Sequence, residues 1–514
     1  MTLPSLQLVV SLALFLVYIP ALAILFVYSA NLYYMTLLAW RYNSRRPRSI
    51  PLHDPAALPH VTVQVPLYNE RYVSQRIIDA VAALDWPADK LDIQVLDDST
   101  DDTVHIVAEA VRHWRLEGLN IAHVRRQTRA GYKAGALAFG LESAKGEYIA
   151  IFDADFVPAP SFLRDLVPSI VNDPAAAFVQ SRWEHLNRDE SWLTAIQAIA
   201  IDGHFGIEQQ ARSFGGFPFN FNGTAGLWRK AAILDAGGWQ DTTLTEDLDL
   251  SYRTWLKGWH GLYKLDSASP AELPPTMPAF KRQQARWAQG SIESARLLLR
   301  KVWRSDYPPF LKLQATVHLL GYLINPIMAL LALTYPFLVL ILQAFPDLDA
   351  AWTLFSSLGP LTFAPTIFFV ASQLLLRRGW KTLPAVLLFQ VISAGLAMNT
   401  MRATLKALIG QRGEFLRTPK WGNTTSTRLA AQKTQYRLRA DIGVTTDLVW
   451  GMLCALVMIV ALGNGHMFMA MYALLSAVGA LWVGLWTLWP DVRGWFQRTP
   501  QQVLRGSASD AAAS

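Results

Sequence analysis

Residues 1–40 contain no Asp, Glu, Lys or Arg. In a bilayer the backbone must satisfy its own polar groups, so a charge-free run of this kind has essentially one solution, a helix. About 20 apolar residues cross the hydrocarbon core. This run exceeds that, and it lacks the basic start and small-residue cleavage site of a signal peptide. Arg41, Arg45, Arg46 and Arg48 follow at once and mark the cytoplasmic side. The run reads as one crossing that begins outside, with Pro20 placed to kink it. Four more charge-free runs occur at 314–345, 350–376, 382–401 and 448–489. Arg377, Arg378 and Lys381 put the end of the second of these in the cytoplasm. A crossing by the third would expose Arg402, Lys406, Arg412, Arg417, Lys420 and the basic residues up to Arg439 outside, against the positive-inside bias. Residues 383–408 are therefore read as a helix lying in the interface or dipping in without crossing. The fourth run is broken by Asn464-Gly465-His466 and reads as a hairpin. The expectation is five crossings, and a small, polar tail over 506–514 that reads as disordered.

Residues 60–265 differ. Short apolar runs at 61–65, 91–96, 121–124 and 148–152 alternate with helical patterns at 70–84, 102–114 and 133–143. Such alternation predicts a mostly parallel sheet with right-handed crossovers, an α/β domain large enough to bury its own core. The chain of 514 residues is 52% hydrophobic, too apolar for one soluble domain. Its net charge of +7 lies largely beside apolar runs, which points to membrane topology and anionic lipid and away from nucleic acid. The single cysteine, Cys454, excludes an intrachain disulfide and a thiolate metal site.

Within the α/β region, the strand at 148–152 runs straight into Asp153 and Asp155. Ligands bind at that end of open α/β sheets. Two carboxylates spaced i, i+2 can turn toward one hard cation, Mg²⁺ or Mn²⁺, whose shell substrate phosphates complete. Asp97-Asp98-Ser99-Thr100 ends an earlier strand, where a carboxylate can accept from a nucleobase or ribose and where the same residues can cap a helix. Gly131-Tyr132-Lys133 opens a helix, with glycine for close approach and a lysine for anions. Thr245-Glu246-Asp247 precedes an amphipathic stretch, as a helix cap or as a carboxylate able to take a hydroxyl proton. Gln283, Arg286 and Trp287 fall on roughly one face of a helix, suited to a diphosphate and a sugar ring or to a membrane surface.

In this order the pieces resemble the D, DxD, TED, QxxRW signature of processive family-2 glycosyltransferases, the cellulose-synthase superfamily. Within it they are most similar to the plant cellulose-synthase-like A mannan synthases and their C relatives, with bacterial homologues. Gln94 to Thr100, Gly131 to Leu137, Phe221-Asn222-Gly223-Thr224-Ala225-Gly226 and Ala236-Gly237-Gly238-Trp239 carry the likeness further. It covers about residues 58–300. The resemblance implies a GT-A catalytic domain on the cytoplasmic face. Asp97 and Asp98 would contact the nucleotide, and Lys133 would sit near base or phosphates. Asp153 and Asp155 would hold nucleotide and metal. Asp247 would be the general base, with Glu246, Gln283, Arg286 and Trp287 binding acceptor and diphosphate. Phe415, Thr418 and Lys420 resemble the FxVTxK gating loop of cellulose synthases, with Arg417 where the Val would stand.

The implied chemistry is a single inverting displacement. A divalent cation and Arg286 would stabilise the departing diphosphate while Asp247 deprotonates the acceptor hydroxyl. The resemblance further implies a nucleotide-sugar donor, GDP-mannose or UDP-glucose, a polysaccharide or lipid acceptor, and product export through the membrane region. The setting would be a plasma, inner or Golgi membrane, and a homo-oligomer or an accessory export protein would be compatible. The expected organisation is a membrane helix with basic flank (1–48), the GT-A domain (58–300), two crossings with interfacial helix and gating-like loop (301–441), a membrane hairpin (442–490) and a tail (491–514). A non-processive glycolipid synthase and a catalytically degenerate transporter are the competing readings. A retaining enzyme would need a different carboxylate pairing.

Overall fold

The structure, a computed structural model, describes residues 3–43, 58–344, 363–411, 413, 420, 422 and 443–496. At its centre is a seven-stranded sheet in the order β3-β2-β1-β4-β6-β5-β7. Its strands are β1 (Val61–Leu67), β2 (Leu91–Asp97), β3 (Ile121–Val124), β4 (Tyr148–Ile151), β5 (Ala176–His185), β6 (Gly226–Arg229) and β7 (His260–Ala271). β1 pairs in parallel with β2 and β4, and β2 with β3. β6 is antiparallel to both β4 and β5. The four expected strands are therefore present. β4 reads as a continuous apolar run, and β1 and β2 are likewise buried on both faces, with their inward polar residues satisfied by each other, Thr62 donating to Asp92 and Gln64 to Gln94.

Parallel order does more than build a core. It brings the C-terminal ends of β1, β2 and β4 to one edge, with Val61 level with both Leu91 and Tyr148. The loops leaving Leu67, Asp97 and Ile151 thus open on the same cleft. β6 returns along β4 in the opposite sense, so the 221–225 segment preceding it arrives at that edge too.

Below the sheet edge lies the long helix Met277–Arg304, which joins the α/β domain to the apolar helices. Lys281 on this helix donates to Asp447 across 2.6 Å, with Asp447 fully buried at the start of Gly443–Gly463. Arg402 stands 3.7 Å from the same carboxylate. Asn399 donates to the Lys281 carbonyl at 2.9 Å, and Arg296 to that of Ala407 at 2.6 Å. A charged stitch therefore holds three helices together where the domain meets the spans.

Among the described residues four stretches are long and apolar enough to cross a membrane: Leu16–Asn43, Gly321–Ile341, Gly443–Gly463 and Met467–Leu488. Leu37, Met452, Ile459 and Leu485 on them are more than half exposed, which in water would be unfavourable and in lipid is the ordinary state. The expected crossing at 350–376 is described only from residue 363, where Ala364–Leu375 is helical. The segment read as interfacial is two helices, Leu383–Gly395 and Ala397–Leu408, meeting at a 47° bend, and not one straight rod. Gly395 lies at the bend, where a Cβ would come 2.3 Å from the carbonyl oxygen of Gly479. Close backbone approach through small residues is how membrane helices gain dispersion energy without a hydrophobic driving force.

Removing one partner of a buried ion pair strands the other charge, at a cost of about 3–5 kcal/mol. We expect Asp447→Ala to lower the unfolding temperature in detergent and to lower transfer with it. Lys281→Met with Asp447→Leu should recover most of the loss, because the uncompensated charge is gone. An unchanged melting curve for Asp447→Ala would show that the stitch contributes nothing.

Candidate active site

A cleft open to solvent lies at the sheet edge. Its walls combine the ends of β1 (Tyr68, Glu70), β2 (Asp98) and β4 (Asp153, Asp155) with Arg129 and Lys133, and with Gln283 and Arg286 of the long helix. Lys420 closes one side.

Asp153 follows β4 and its backbone N–H donates to Thr224 Oγ1 at 2.8 Å, which fixes the strand end against the loop before β6. Lys133 enters from the helix Tyr132–Ser143. Its Nζ donates to Asp153 Oδ1 at 2.5 Å and to the Gly223 carbonyl at 2.8 Å, and lies 3.9 Å from Glu246. Burial works against the ammonium charge. Asp153, Glu246 and Asp247 more than offset it and hold the lysine pKa above its ordinary value.

Asp155 is paired with Lys420 and is buried. Burial raises its pKa, Asp153 and Glu272 add to the rise, and Lys420 opposes it. Each carboxylate of the Asp153/Asp155 pair is thus neutralised by a lysine ammonium. A donor set of two closely spaced carboxylates in a cleft that already attracts cations fits a hard divalent ion. No group of three or more acidic, His or Cys ligands forms among the described residues. Such an ion would therefore have to complete its shell from substrate oxygens and water.

Asp247 sits in the first turn of the helix Glu246–Leu256. Its Oδ1 accepts from the N–H of Leu248 at 2.8 Å. Its Oδ2 faces Gly223, where φ is +77° and an added Cβ would come within 2.9 Å of that oxygen. Only glycine lets the backbone pass so close in this conformation. Asp247 is half-buried and is not among the residues that line the cleft. Burial first and the neighbouring Glu246 second push its pKa up to about 7, with Lys133 and Arg286 pulling the other way. A carboxyl poised there can take a proton near neutral pH. Thr245 does not cap this helix with its side chain; the hydroxyl lies 3.3 Å from that of Ser294 on the long helix. Gly290, whose Cβ would meet Thr245 at 2.6 Å, makes this approach possible.

Of the sequence-predicted residues, Asp98, Lys133, Asp153, Asp155, Gln283, Arg286 and Lys420 share the cleft wall. Glu246 is buried and lines an adjoining hollow with Glu293 and Asp241. Asp97 lies behind the wall, bonded to His123 at 2.8 Å and accepting from the Ser99 N–H at 2.9 Å. Burial opposes its ionisation, but His123 and Ser99 bring its pKa below the usual value. Asp98 faces the cleft, gripped bidentately by Arg126. Trp287, half-buried, stands outside the cleft lining. Phe415 and Thr418 lie outside the described residues.

The stretch Val65-Pro66-Leu67-Tyr68-Asn69-Glu70 is expected from sequence to end the first strand at the ligand edge, and Tyr68 is found there; Arg129 and Glu272 were not singled out. Glu272 sits beyond β7 and holds Arg76 at 2.7 Å and the Gly422 N–H at 3.1 Å. A lone acidic residue after a strand carries no local signal of such a role. Arg129 precedes the Gly131 turn and could have been suspected from that position.

A mostly parallel α/β sheet with paired carboxylates at its C-terminal edge and an arginine-bearing helix beside it has the architecture of a GT-A-type glycosyltransferase. Comparison with known proteins agrees. Residues 59–290 match the family model described as glycosyltransferase like family 2. The chain is 43% identical over 295 residues to glucomannan 4-beta-mannosyltransferase 2 of Arabidopsis thaliana, covering 56% of this chain and 55% of that protein. It is 37% identical over 416 residues to glucomannan 4-beta-mannosyltransferase 1 of Oryza sativa subsp. japonica, covering 77% of each. Among solved structures it is similar to a mannosyltransferase from Pyrobaculum calidifontis in complex with GDP-Man and Mn²⁺, with TM-score 0.47, 22% identity, and 76% of this chain and 99% of that one covered. The chain belongs to glycosyltransferase family 2, among the relatives of the plant glucomannan mannosyltransferases.

Asp247→Asn keeps the shape of the side chain and removes its basicity. We expect transfer to fall at least about 100-fold while donor affinity, measured by calorimetry, changes little. With Asp247 as the base, its carboxylate is the reactive form. The rate should therefore rise with pH through an apparent pKa near 7 and level off above it. A rate independent of pH across that range would remove Asp247 from the proton-transfer role.

Proposed function

We propose that this enzyme transfers a hexosyl residue, mannosyl by the names of its relatives, from a nucleotide sugar to a growing β-linked polysaccharide with inversion at the anomeric carbon. The observation that carries the reading is the Asp247 carboxyl, pushed up to about 7 and placed within the same charge cluster as Lys133 and the Asp153/Asp155 pair.

The cleft divides the work. Asp98 and Tyr68 lie where β2 and β1 end and receive the nucleoside. Arg286 and Lys420, on the side of Asp155, meet the diphosphate and stabilise the charge that grows on it as the glycosidic C1–O bond breaks. A divalent cation, Mg²⁺ or Mn²⁺, held by Asp153 and Asp155 would supply further positive charge to those phosphate oxygens. Lys133 keeps Asp153, Glu246 and Asp247 from repelling one another. Asp247 takes the proton of the attacking hydroxyl from the side opposite the leaving group, and one displacement of this kind converts an α-linked donor into a β-linked product. Gln283, carried by the same helix as Arg286, places the acceptor, with Trp287 beside it.

The apolar helices suit a product that leaves through the membrane. The catalytic domain faces the cytoplasm, where nucleotide sugars are made, and the segments 314–345, 350–376 and 448–489 with the N-terminal helix supply five crossings. Exposed apolar side chains on the four described spans support four of these crossings, and the fifth, at 350–376, lies partly outside the described residues. Lys420, seated on Asp155, belongs to the segment that resembles a gating loop.

Alanine at Asp153 or Asp155 should abolish turnover, and EDTA should do the same to the unaltered enzyme. Full activity under EDTA would eliminate the divalent cation. Membranes supplied with labelled GDP-mannose or UDP-glucose should yield an alcohol-insoluble polymer that a β-mannanase or β-glucanase degrades. Label that stays in the lipid extract would identify a glycolipid synthase instead.

A further inference from the structure

The long helix Met277–Arg304 brings Gln283 and Arg286 to the cleft, but its far end has no part in the transfer just described. The last turns divide into two faces. Leu298 and Val302 are buried against Ala315 and Leu319 of the helix Pro309–Leu319. Arg296, Leu297, Arg300, Lys301, Trp303 and Arg304 are exposed on the other side. Arg296 is engaged by the Ala407 carbonyl. No hydrogen bond or ion pair holds Arg300, Lys301 or Arg304 among the described residues. Over residues 296–318 the sequence carries five Lys and Arg against one carboxylate, Asp306.

A cation in the last turn of a helix complements its dipole. That accounts for Lys301 and Arg304, and not for the large apolar side chains left open beside them. Trp303 is 52% exposed, Phe310 48% and Leu313 40%. Trp303 donates to Thr316 at 3.1 Å, which holds its ring against the helix Pro309–Leu319. Phe310, Leu313 and Thr316 follow at three-residue spacing on one face of that helix, so the three apolar groups form one patch. Phe310 fixes its depth. Its ring lies 6.0 Å from that of Tyr34 and 5.7 Å from that of Phe217. Tyr34 belongs to the apolar stretch Leu16–Asn43 and stands about 13 Å along the helix from Asn43. The helix Pro309–Leu319 itself runs on into the apolar stretch Gly321–Ile341. The patch therefore lies where two spans leave the hydrocarbon. Aromatic rings favour that level, and cations there meet lipid phosphate. A zwitterionic headgroup brings its own ammonium, which competes for the phosphate. An anionic headgroup leaves its charge uncompensated for the protein.

We propose that Arg300, Lys301 and Arg304, with Trp303 and Phe310 beside them, form a binding surface for anionic phospholipid of the bilayer that holds the spans. The lipid anchors the end of the rod whose Arg286 lies about 27 Å away at the cleft. The inference rests on the membrane arrangement proposed above and names the lipid that meets it.

The test is thermal unfolding of the full-length protein in uncharged detergent, titrated with phosphatidylglycerol, with phosphatidylcholine of the same chains, or with inorganic phosphate. We expect phosphatidylglycerol to raise the midpoint at about tenfold lower concentration than phosphatidylcholine, and inorganic phosphate to leave it unchanged. Arg300→Gln with Lys301→Gln and Arg304→Gln should weaken the phosphatidylglycerol response about 100-fold, since each cation near an anionic surface contributes roughly a factor of five. A retained response to phosphatidylcholine shows that this triple variant is folded. Arg112→Gln with Lys145→Gln, which removes exposed cations elsewhere on the α/β domain, should respond like the unaltered protein. Equal responses to the two lipids would overturn the proposal, as would a triple variant that answers phosphatidylglycerol like the unaltered protein. Inorganic phosphate acting as well as phosphatidylglycerol would reduce the patch to a site for free anions and overturn it too. A dimer that the triple variant splits while its lipid response stands would give the patch to a second copy of the chain instead. Midpoints that neither lipid moves would bring down the membrane arrangement itself.

Discussion

Lys133 is the charge on which the site depends. Three carboxylates, those of Asp153, Glu246 and Asp247, converge on it from the end of β4 and the start of the helix Glu246–Leu256. Without a central cation they would repel one another at short range in surroundings where burial already disfavours charge. With it, the cluster can be buried, because the ammonium offsets part of that repulsion. The lysine does not neutralise all members equally. Its Nζ bonds directly to Asp153 and to the Gly223 carbonyl, whereas Asp247 is reached only through space and keeps a raised pKa. One ammonium therefore treats two carboxylates differently: Asp153 is bonded to it directly, whereas Asp247 keeps a pKa pushed up to about 7.

Close backbone approach makes that cluster possible. Gly223 lets a carbonyl reach Lys133 and leaves room for Asp247. Gly290 lets the long helix Met277–Arg304 pass against Thr245, so that Gln283 and Arg286 are delivered to the cleft from the same rigid rod that Lys281 ties to Asp447. The catalytic cleft and the apolar helices are in this way two ends of one element. A shift of the spans relative to the sheet would move Arg286, and binding at the cleft would be felt at Asp447.

Much of this was legible beforehand for a simple reason. Strands buried on both faces are apolar runs, and parallel strands place their C-terminal ends together, so Asp98, Asp153 and Asp155 could be assigned to one edge from order and spacing alone. Three strands escaped that reading. β6 has four residues in a glycine-bearing stretch, and β5 and β7 extend past the core so that their outer halves lose the apolar signal. Asp97 and Asp98 look alike in sequence, yet one bonds His123 behind the wall and the other faces the cleft, because successive strand residues point to opposite sides. The Thr245 hydroxyl could cap a helix or meet a neighbouring one, and no local pattern decides between them.

Sequence by itself determined the composition of the site and of the spans: which carboxylates end strands, which helix carries Gln283 and Arg286, which runs are free of charge. These follow from periodicity and hydropathy, which are local. Tertiary structure alone decided the pairings. Lys133 meets Asp153 across 20 positions, Lys420 meets Asp155 across 265, and Lys281 meets Asp447 across 166. The stacking of Arg129 on Tyr68 and the facing of Gly395 and Gly479 belong to the same class. The physical reason is that charge and contact act through distance in space, and the fold, not the order of residues, sets that distance.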